Sequence, residues 1–267
     1  MMRQTPVPQL FVFDLDDTLM QTTIDYARAR DALLRFAFEV FCSKDSRSLD
    51  EINDAMILEF RELDRTRSQT LDNGFIRFPG TCAEYYRILA ARYQMAHDPL
   101  IEQKFLALGY EVFNPSHWAE RGLIDDAREL LTKLKQDGHH LMLCTRGDET
   151  VQTMKIKVLG LEEFFEDPDI FIVEKKTEER FQRMMAKFRM QHALISEYPT
   201  CWSIGDWYDA DIAPALGAGF KGLLIQRDEQ YQNPILEKSE IKIDRSRVTI
   251  VRDVSKITTL YQGGRLK

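Results

Sequence analysis

The sequence predicts an α/β protein in which a doubly wound, mostly parallel sheet is interrupted by an inserted α-helical domain. Two observations carry that prediction. Short apolar runs recur along the chain, each separated from the next by a helical segment, which is the pattern of a parallel sheet covered by helices on both faces. Between residues 21 and 113 the alternation stops, and only helical periodicity remains. The expected division is a core of residues 1–20 and 114–267 and a helical domain of residues 21–113. At 267 residues the chain is long enough for both.

The elements follow in order. Leu10-Phe-Val-Phe13 is apolar at every position and suits a strand buried on both faces. Helical spacing then appears at Tyr26, Ala29, Leu33, Leu34, Ala37 and Phe41, and again at Ile52, Met56, Ile57, Phe60 and Leu63. Two more helices are expected over Thr81 to Tyr93 and Leu100 to Phe113, punctuated by Pro79-Gly80 and His97-Asp-Pro99. Residues 114–122 read as a linker back to the core. A helix from Asp125 to Gln136 stops at Gly138, and the strand Leu141 to Thr145 follows. Next come a helix (Glu149 to Leu159), a strand (Ile170 to Val173), a helix (Thr177 to Gln191) and a strand (Cys201 to Ile204). A short helix (Asp211 to Leu216), strands at Gly222 to Gln226 and Val248 to Val251, and a terminal helix complete the chain.

Composition excludes several classes. Net charge of −7 and a pI of 5.4 argue against a nucleic-acid backbone binder. No apolar run approaches the ~18 residues of a membrane span, and the N-terminus has no apolar signal core. Cys42, Cys82, Cys144 and Cys201 show no C-x-x-C pairing, and Cys144 and Cys201 lie within apolar strands, so a reduced, cytoplasmic protein is expected.

In such sheets ligands bind beyond the carboxyl ends of the strands, and those ends are unexpectedly polar here. Strand one runs into Asp14 and Asp16, with Asp17 and Thr18 beside them. Residues two apart on an extended chain share a side, so Asp14 and Asp16 can converge, and their repulsion calls for a cation or a shared proton. The second strand ends at Thr145, followed by Arg146-Gly-Asp148. The third leads to Glu174-Lys175-Lys176, and the fourth to Gly205-Asp206-Trp-Tyr-Asp209-Ala-Asp211. Each alone reads as a helix cap or a solvated strand end. Together they place carboxylates, a hydroxyl and an ammonium along one rim, which is what phosphoryl transfer requires. A carboxylate nucleophile splits ester hydrolysis into two steps through an aspartyl-phosphate. Magnesium prefers few carboxylates with water and substrate completing its shell. A second acid can protonate the leaving oxygen and then activate water, while hydroxyl and ammonium donors meet the phosphoryl oxygens.

The set Asp14-x-Asp16-x-Thr18, the strand-ending Thr145, Lys175 and Gly205-Asp206-x4-Asp211 resembles the haloacid dehalogenase superfamily, with all four motifs in the family's order. The resemblance implies a Rossmann-like core with a helical cap inserted between the first two motifs. It implies Asp14 as nucleophile and magnesium ligand, and Asp16 as general acid/base lending its backbone carbonyl to the metal. Thr145 would bind the phosphoryl group and Lys175 would orient the nucleophile. Lys175 is preferred over Lys176 because Phe181 then matches the family's usual aromatic, although tandem lysines leave both open. Asp206 would be a metal ligand, and Asp211 would ligate through water or hold the lysine. Asp17 would face away. An acid at Asp16 marks the phosphatase type, since family dehalogenases lack it.

The expected function is magnesium-dependent hydrolysis of a small phosphorylated metabolite by a monomer or weak homodimer. Three alternatives remain: a phosphosugar mutase on the same core, a phospho-accepting signalling receiver, and a binding protein without turnover. Arg146, beside Thr145, is a candidate substrate-binding residue. In the insertion, Arg65, Arg67, Arg77 and Lys104 are candidates for an anionic group, with Arg77 preferred because it borders a Phe78-Pro79-Gly80 loop. Phe75, Phe78 and Tyr85 are candidates to stack on a base.

Overall fold

The computed structural model describes residues 7–41, 49–70, 74–124, 126–192, 200–226 and 243–266. Its contacts divide the chain into two units, residues 1–21 with 118–267 and residues 22–117.

The first unit contains six strands: β1 (Leu10–Phe13), β2 (His140–Arg146), β3 (Ile170–Val173), β4 (Cys201–Gly205), β5 (Lys221–Ile225) and β6 (Val248–Val251). They form one sheet in the order β3-β2-β1-β4-β5-β6, with every pair parallel. The chain leaves β1 toward β2 and β3, then crosses to β4 on the other side. The topological switch point therefore lies at β1, where Phe13 is in register with Leu143 and with Ile204.

Alternation of side chains along β1 supplies both faces of the sheet. Leu10 and Val12 join Met142 and Cys144 on one face, against Phe181, Met184 and Phe188 of α8 (Glu178–Gln191) and Phe220. Phe11 and Phe13 face the other way. Phe11 meets His139 and Tyr261 of α10 (Val254–Gln262), and Phe13 meets Phe165. A sheet covered on both faces is what the continuous apolar strands predict. The helix α6 (Ala127–Gln136) buries Ala127, Leu130, Leu131 and Leu134; Asp125, its expected start, lies outside the described residues, as does Cys42. Cys144 and Cys201 are buried thiols, pushed up by burial to about 12 and about 11.

The second unit contains α1 (Thr23–Phe41), α2 (Leu49–Thr70), α3 (Arg77–Arg92) and α4 (Pro99–Tyr110). Its core is aromatic, with Phe41, Phe60, Phe78, Tyr85, Tyr86 and Phe105 all buried. Two local expectations change. Pro79-Gly80 does not precede α3 but lies inside its first turns, where a proline lacks no needed donor. The expected linker contains α5 (Pro115–Arg121), so the return to the α/β unit at Trp118 falls within a helix. Among the described residues no helix is long and apolar enough to cross a membrane.

Candidate active site

Asp14 follows β1 directly, and its amide still donates to Ile204 O at 2.9 Å, which ties it to the ladder. The chain then turns sharply. Leu15 O accepts from the amides of Thr18, Leu19 and Met20, and Asp17 takes φ 55°, a left-handed conformation that Asp tolerates better than most residues. Leu15 is fully buried between Asp14, itself buried, and Asp16, which keeps partial exposure past the strand end.

Asp211 is brought back to this point by one turn with π-helical spacing, Tyr208–Ile212. Its Oδ2 accepts from Trp207 N at 2.9 Å, and Ser203 Oγ donates to its carbonyl at 2.7 Å. Gly205 makes that return possible, because a Cβ there would lie 2.3 Å from the Asp211 carboxylate. Carboxylate oxygens of Asp14, Asp206 and Asp211 all fall within 4.8 Å of one another. Asp209, in the same segment, faces solvent.

The lysine in this cluster is Lys176, correcting the preference for Lys175. Lys176 is buried, and its Nζ donates to Asp14 and, at 2.5 Å, to Asp211. Lys175 is exposed. Phe181, used to choose between them, is a core residue against Phe220 and carries no information about the lysine. Burial opposes the charge on Lys176, but the Asp14 and Asp211 carboxylates outweigh it and push the ammonium well above its usual range. Burial raises the Asp14 carboxyl to about 7, with Lys176 opposing and Asp211 and Asp16 adding to the rise. One ammonium among these acids leaves a surplus of negative charge. Hard oxygen donors converging in that field fit a divalent cation such as magnesium.

Asp16 is held differently. Its carboxylate is not part of the three-acid cluster; Lys155 Nζ donates to Oδ1 at 2.7 Å and Gln152 Nε2 to Oδ2 at 2.8 Å. Both donors come from α7 (Glu149–Val158), which Asp148 caps by accepting from Val151 N at 3.1 Å. A metal role for Asp16 is thus left to its backbone carbonyl. Thr145 is buried at the end of β2, and its Oγ1 accepts from Gln152 Nε2 at 3.0 Å. The Arg146 guanidinium lies 5.0 Å from the centre of the Trp207 ring, at the same rim. Sequence reasoning missed Gln152 and Lys155. The available signal was two polar side chains on the buried face of an otherwise ordinary amphipathic helix.

The candidates in the helical unit change standing. Arg77 opens α3, where Phe78-Pro79-Gly80 is helical and not a loop, and its guanidinium pairs with Asp64 at 2.5 Å. Arg65 pairs with Glu62. Phe78 and Tyr85 are core residues, correcting their reading as stacking platforms; Phe78 packs on Tyr26 and Phe60, and Tyr85 donates to Met56 O. Phe75 is partly exposed and rests on Tyr110 and Phe113. Lys104 is exposed.

A family model for haloacid dehalogenase-like hydrolases matches residues 8–219. The chain belongs to that family, and it is a hydrolase by class. Among characterised relatives it is similar to a glyceraldehyde 3-phosphate phosphatase of Pyrococcus abyssi, with 24% identity over 218 residues, covering 80% of this chain and 79% of that protein. It is also similar to a ribulose-1,5-bisphosphate 5-phosphatase of Halopiger xanaduensis, at 28% identity over 126 residues; that match covers 47% of this chain and 51%, about half, of the relative. A solved haloacid dehalogenase-like hydrolase from Xanthomonas campestris shares the fold, with a TM-score of 0.63 at 22% identity, covering 97% of this chain and 98% of the other.

Proposed function

We propose that this protein is a magnesium-dependent phosphatase that hydrolyses a small phosphorylated metabolite through an aspartyl-phosphate on Asp14. The observation that carries the proposal is the convergence of Asp14, Asp206 and Asp211, with Lys176 bonded to Asp14 and Asp211, Asp16 two residues beyond Asp14 and Thr145 near the end of the neighbouring β2. The phosphatase names of two relatives support the same reading.

In this reading an Asp14 oxygen attacks phosphorus, and the bond from phosphorus to the ester oxygen breaks with its electron pair on that oxygen. Asp16 gives the leaving oxygen its proton. The Asp16 carboxylate then takes a proton from water; the water oxygen attacks phosphorus, the bond to Asp14 breaks, and phosphate leaves. Lys176 holds Asp14 in place and lowers the cost of bringing a dianion against it. The Thr145 hydroxyl and Arg146 supply donors to the phosphoryl oxygens. Asp14, Asp206, Asp211 and the Asp16 carbonyl would hold magnesium, which when bound offsets charge between nucleophile and phosphate.

The test is turnover of a panel of phosphate monoesters, sugar phosphates and nucleotides included, with magnesium and with chelator. Hydrolysis that is lost with chelator and restored by magnesium is expected. Equal rates in both conditions would remove the metal from the reaction, and no turnover of any ester would remove the phosphatase reading.

A further inference from the structure

Gln152 is placed oddly for a residue that serves only the core. It is buried, yet its single Nε2 lies within hydrogen-bonding distance of three acceptors: Asp16 Oδ2 at 2.8 Å, Arg146 O at 2.9 Å and Thr145 Oγ1 at 3.0 Å. An amide nitrogen carries two protons, so one is shared. The Oε1 of the same amide is buried and has no hydrogen-bond partner among the described residues. Turning the amide over would not relieve this, because Oε1 would then face Asp16 Oδ2 and the Arg146 carbonyl, neither of which has a proton to give when Asp16 is ionised. A native interior rarely leaves a buried polar atom unpaired without a compensating demand. Here the demand is at the site, where two groups of the proposed reaction need the nitrogen.

The backbone is shaped around the same amide. Gly147 takes φ 152°, and a Cβ there would lie 2.9 Å from Gln152 Nε2. One turn further along α7, Lys155 takes the second Asp16 oxygen, and its Nζ lies 5.6 Å from the centre of the buried Trp118 ring. Each Asp16 oxygen therefore has its own donor from one helix, at positions i and i+3, and that helix is capped onto the end of β2.

We infer that Gln152 and Lys155 are positioning residues for Asp16. Gln152 ties the Asp16 carboxylate to the Thr145 hydroxyl, so the group that moves the proton keeps a fixed place relative to the group that grips the phosphoryl oxygens; Lys155 removes the remaining rotational freedom. The inference rests on the phosphatase reading and adds two residues to it. They act through Asp16 and touch no reacting atom themselves.

The consequence is selective. An alkyl ester needs its leaving oxygen protonated as the bond breaks, whereas p-nitrophenolate leaves without much help, so loss of Asp16 orientation weighs on the first far more than on the second. The experiment measures kcat/KM, which reports the step that forms the phosphoenzyme, for an alkyl phosphate turned over by the wild type and for p-nitrophenyl phosphate. The variants are Gln152→Met, which keeps the side-chain volume, and Lys155→Met. For both, the alkyl ester is expected to lose about 10-fold to 100-fold, the range seen for residues that orient a functional ligand from behind. The aryl ester is expected to lose much less. Lys155→Arg, which keeps a donor, should recover most of the loss. In an Asp16→Asn background Gln152→Met should add little, because an effect carried by Asp16 cannot be lost twice. Equal loss on both esters, no loss on either, or full additivity with Asp16→Asn would overturn the inference. So would Gln152→Met and Lys155→Met variants so unstable by thermal melt that every ester fails together. A wild type inactive on every ester would instead remove the phosphatase reading and this inference with it.

Discussion

The conspicuous buried residues of the α/β unit include, beside its apolar core, a set of charged ones: Asp14, Lys155, Asp169, Lys176 and Asp211. In the helical unit they are aromatic, and the charges pair nearer the surface, as in Arg65 with Glu62, Arg87 with Glu102 and Arg92 with Glu59. Asp25 is the exception, a buried carboxylate in the first turn of α1, where helix amides and dipole favour it. Burying charge is costly even when it is paired, and well-packed apolar residues of the same volume are often more stabilising. A region that retains several such groups has given up stability for something else. Among the described residues of the helical unit Asp25 is the comparable case, and the unit's aromatic edge-to-face contacts are what packing alone would select.

The sharpest way to break this contrast is Asp14→Asn, which keeps the shape and removes the charge. Turnover and phosphoenzyme formation should fall by at least about 10⁴-fold, yet a denaturant titration should find the variant no less stable than wild type. A large loss of stability would mean that Asp14 holds the fold. The tandem lysines supply the second comparison. Lys176→Met strands two buried carboxylates and should cost about 3–5 kcal/mol by urea melt in the presence of chelator. Lys175→Met should stay within about 0.5 kcal/mol, as surface substitutions usually do. Matching losses in the two variants would contradict the assignment of Lys176.

The helical unit can be probed at Phe105, which is buried against Phe36, Phe41 and Tyr86. Phe105→Ala should cost about 3–5 kcal/mol, while p-nitrophenyl phosphate turnover persists below the transition; loss of that turnover in the folded variant would give the helical unit a part in the chemistry. The smallest effect concerns pH. His139 Nδ1 accepts from Gln9 N, and Nε2 faces Tyr261 Oη at 2.7 Å, an arrangement made by the neutral ring. Burial holds its pKa below the ordinary 6.5. Below pH 6.5 the unfolded chain takes up a proton that the folded one refuses, so this contribution to stability is complete above 6.5 and declines as pH falls toward the lowered value. His192 is shifted in the same direction by burial and adds to the decline. Melting temperatures recorded from pH 8 to pH 5 should show it, and His139→Asn should flatten it; an unchanged slope would assign the decline to other groups.

The sheet and its strands were legible in the sequence because strands buried on both faces are written as uninterrupted apolar runs such as Leu10-Phe-Val-Phe13, whereas the order of the strands within the sheet came from the structure. Polar residues at successive strand ends were legible for the same reason, since each interrupts an apolar run at the rim where ligands bind. Only the tertiary structure decided between Lys175 and Lys176. The two differ by how the chain turns between Val173 and the Thr177 cap of α8, and no local pattern records that direction. Phe78 and Tyr85 were ambiguous because a large aromatic at helical spacing reads alike whether it faces a core or a ligand. Gln152 and Lys155 were visible only as polar residues on a buried helix face; their link to Asp16 was not, since Asp16 lies more than 130 residues earlier in the chain. Strand pairing and the path of α7 bring them together, and a contact between distant segments is a property of the fold that neither segment carries by itself.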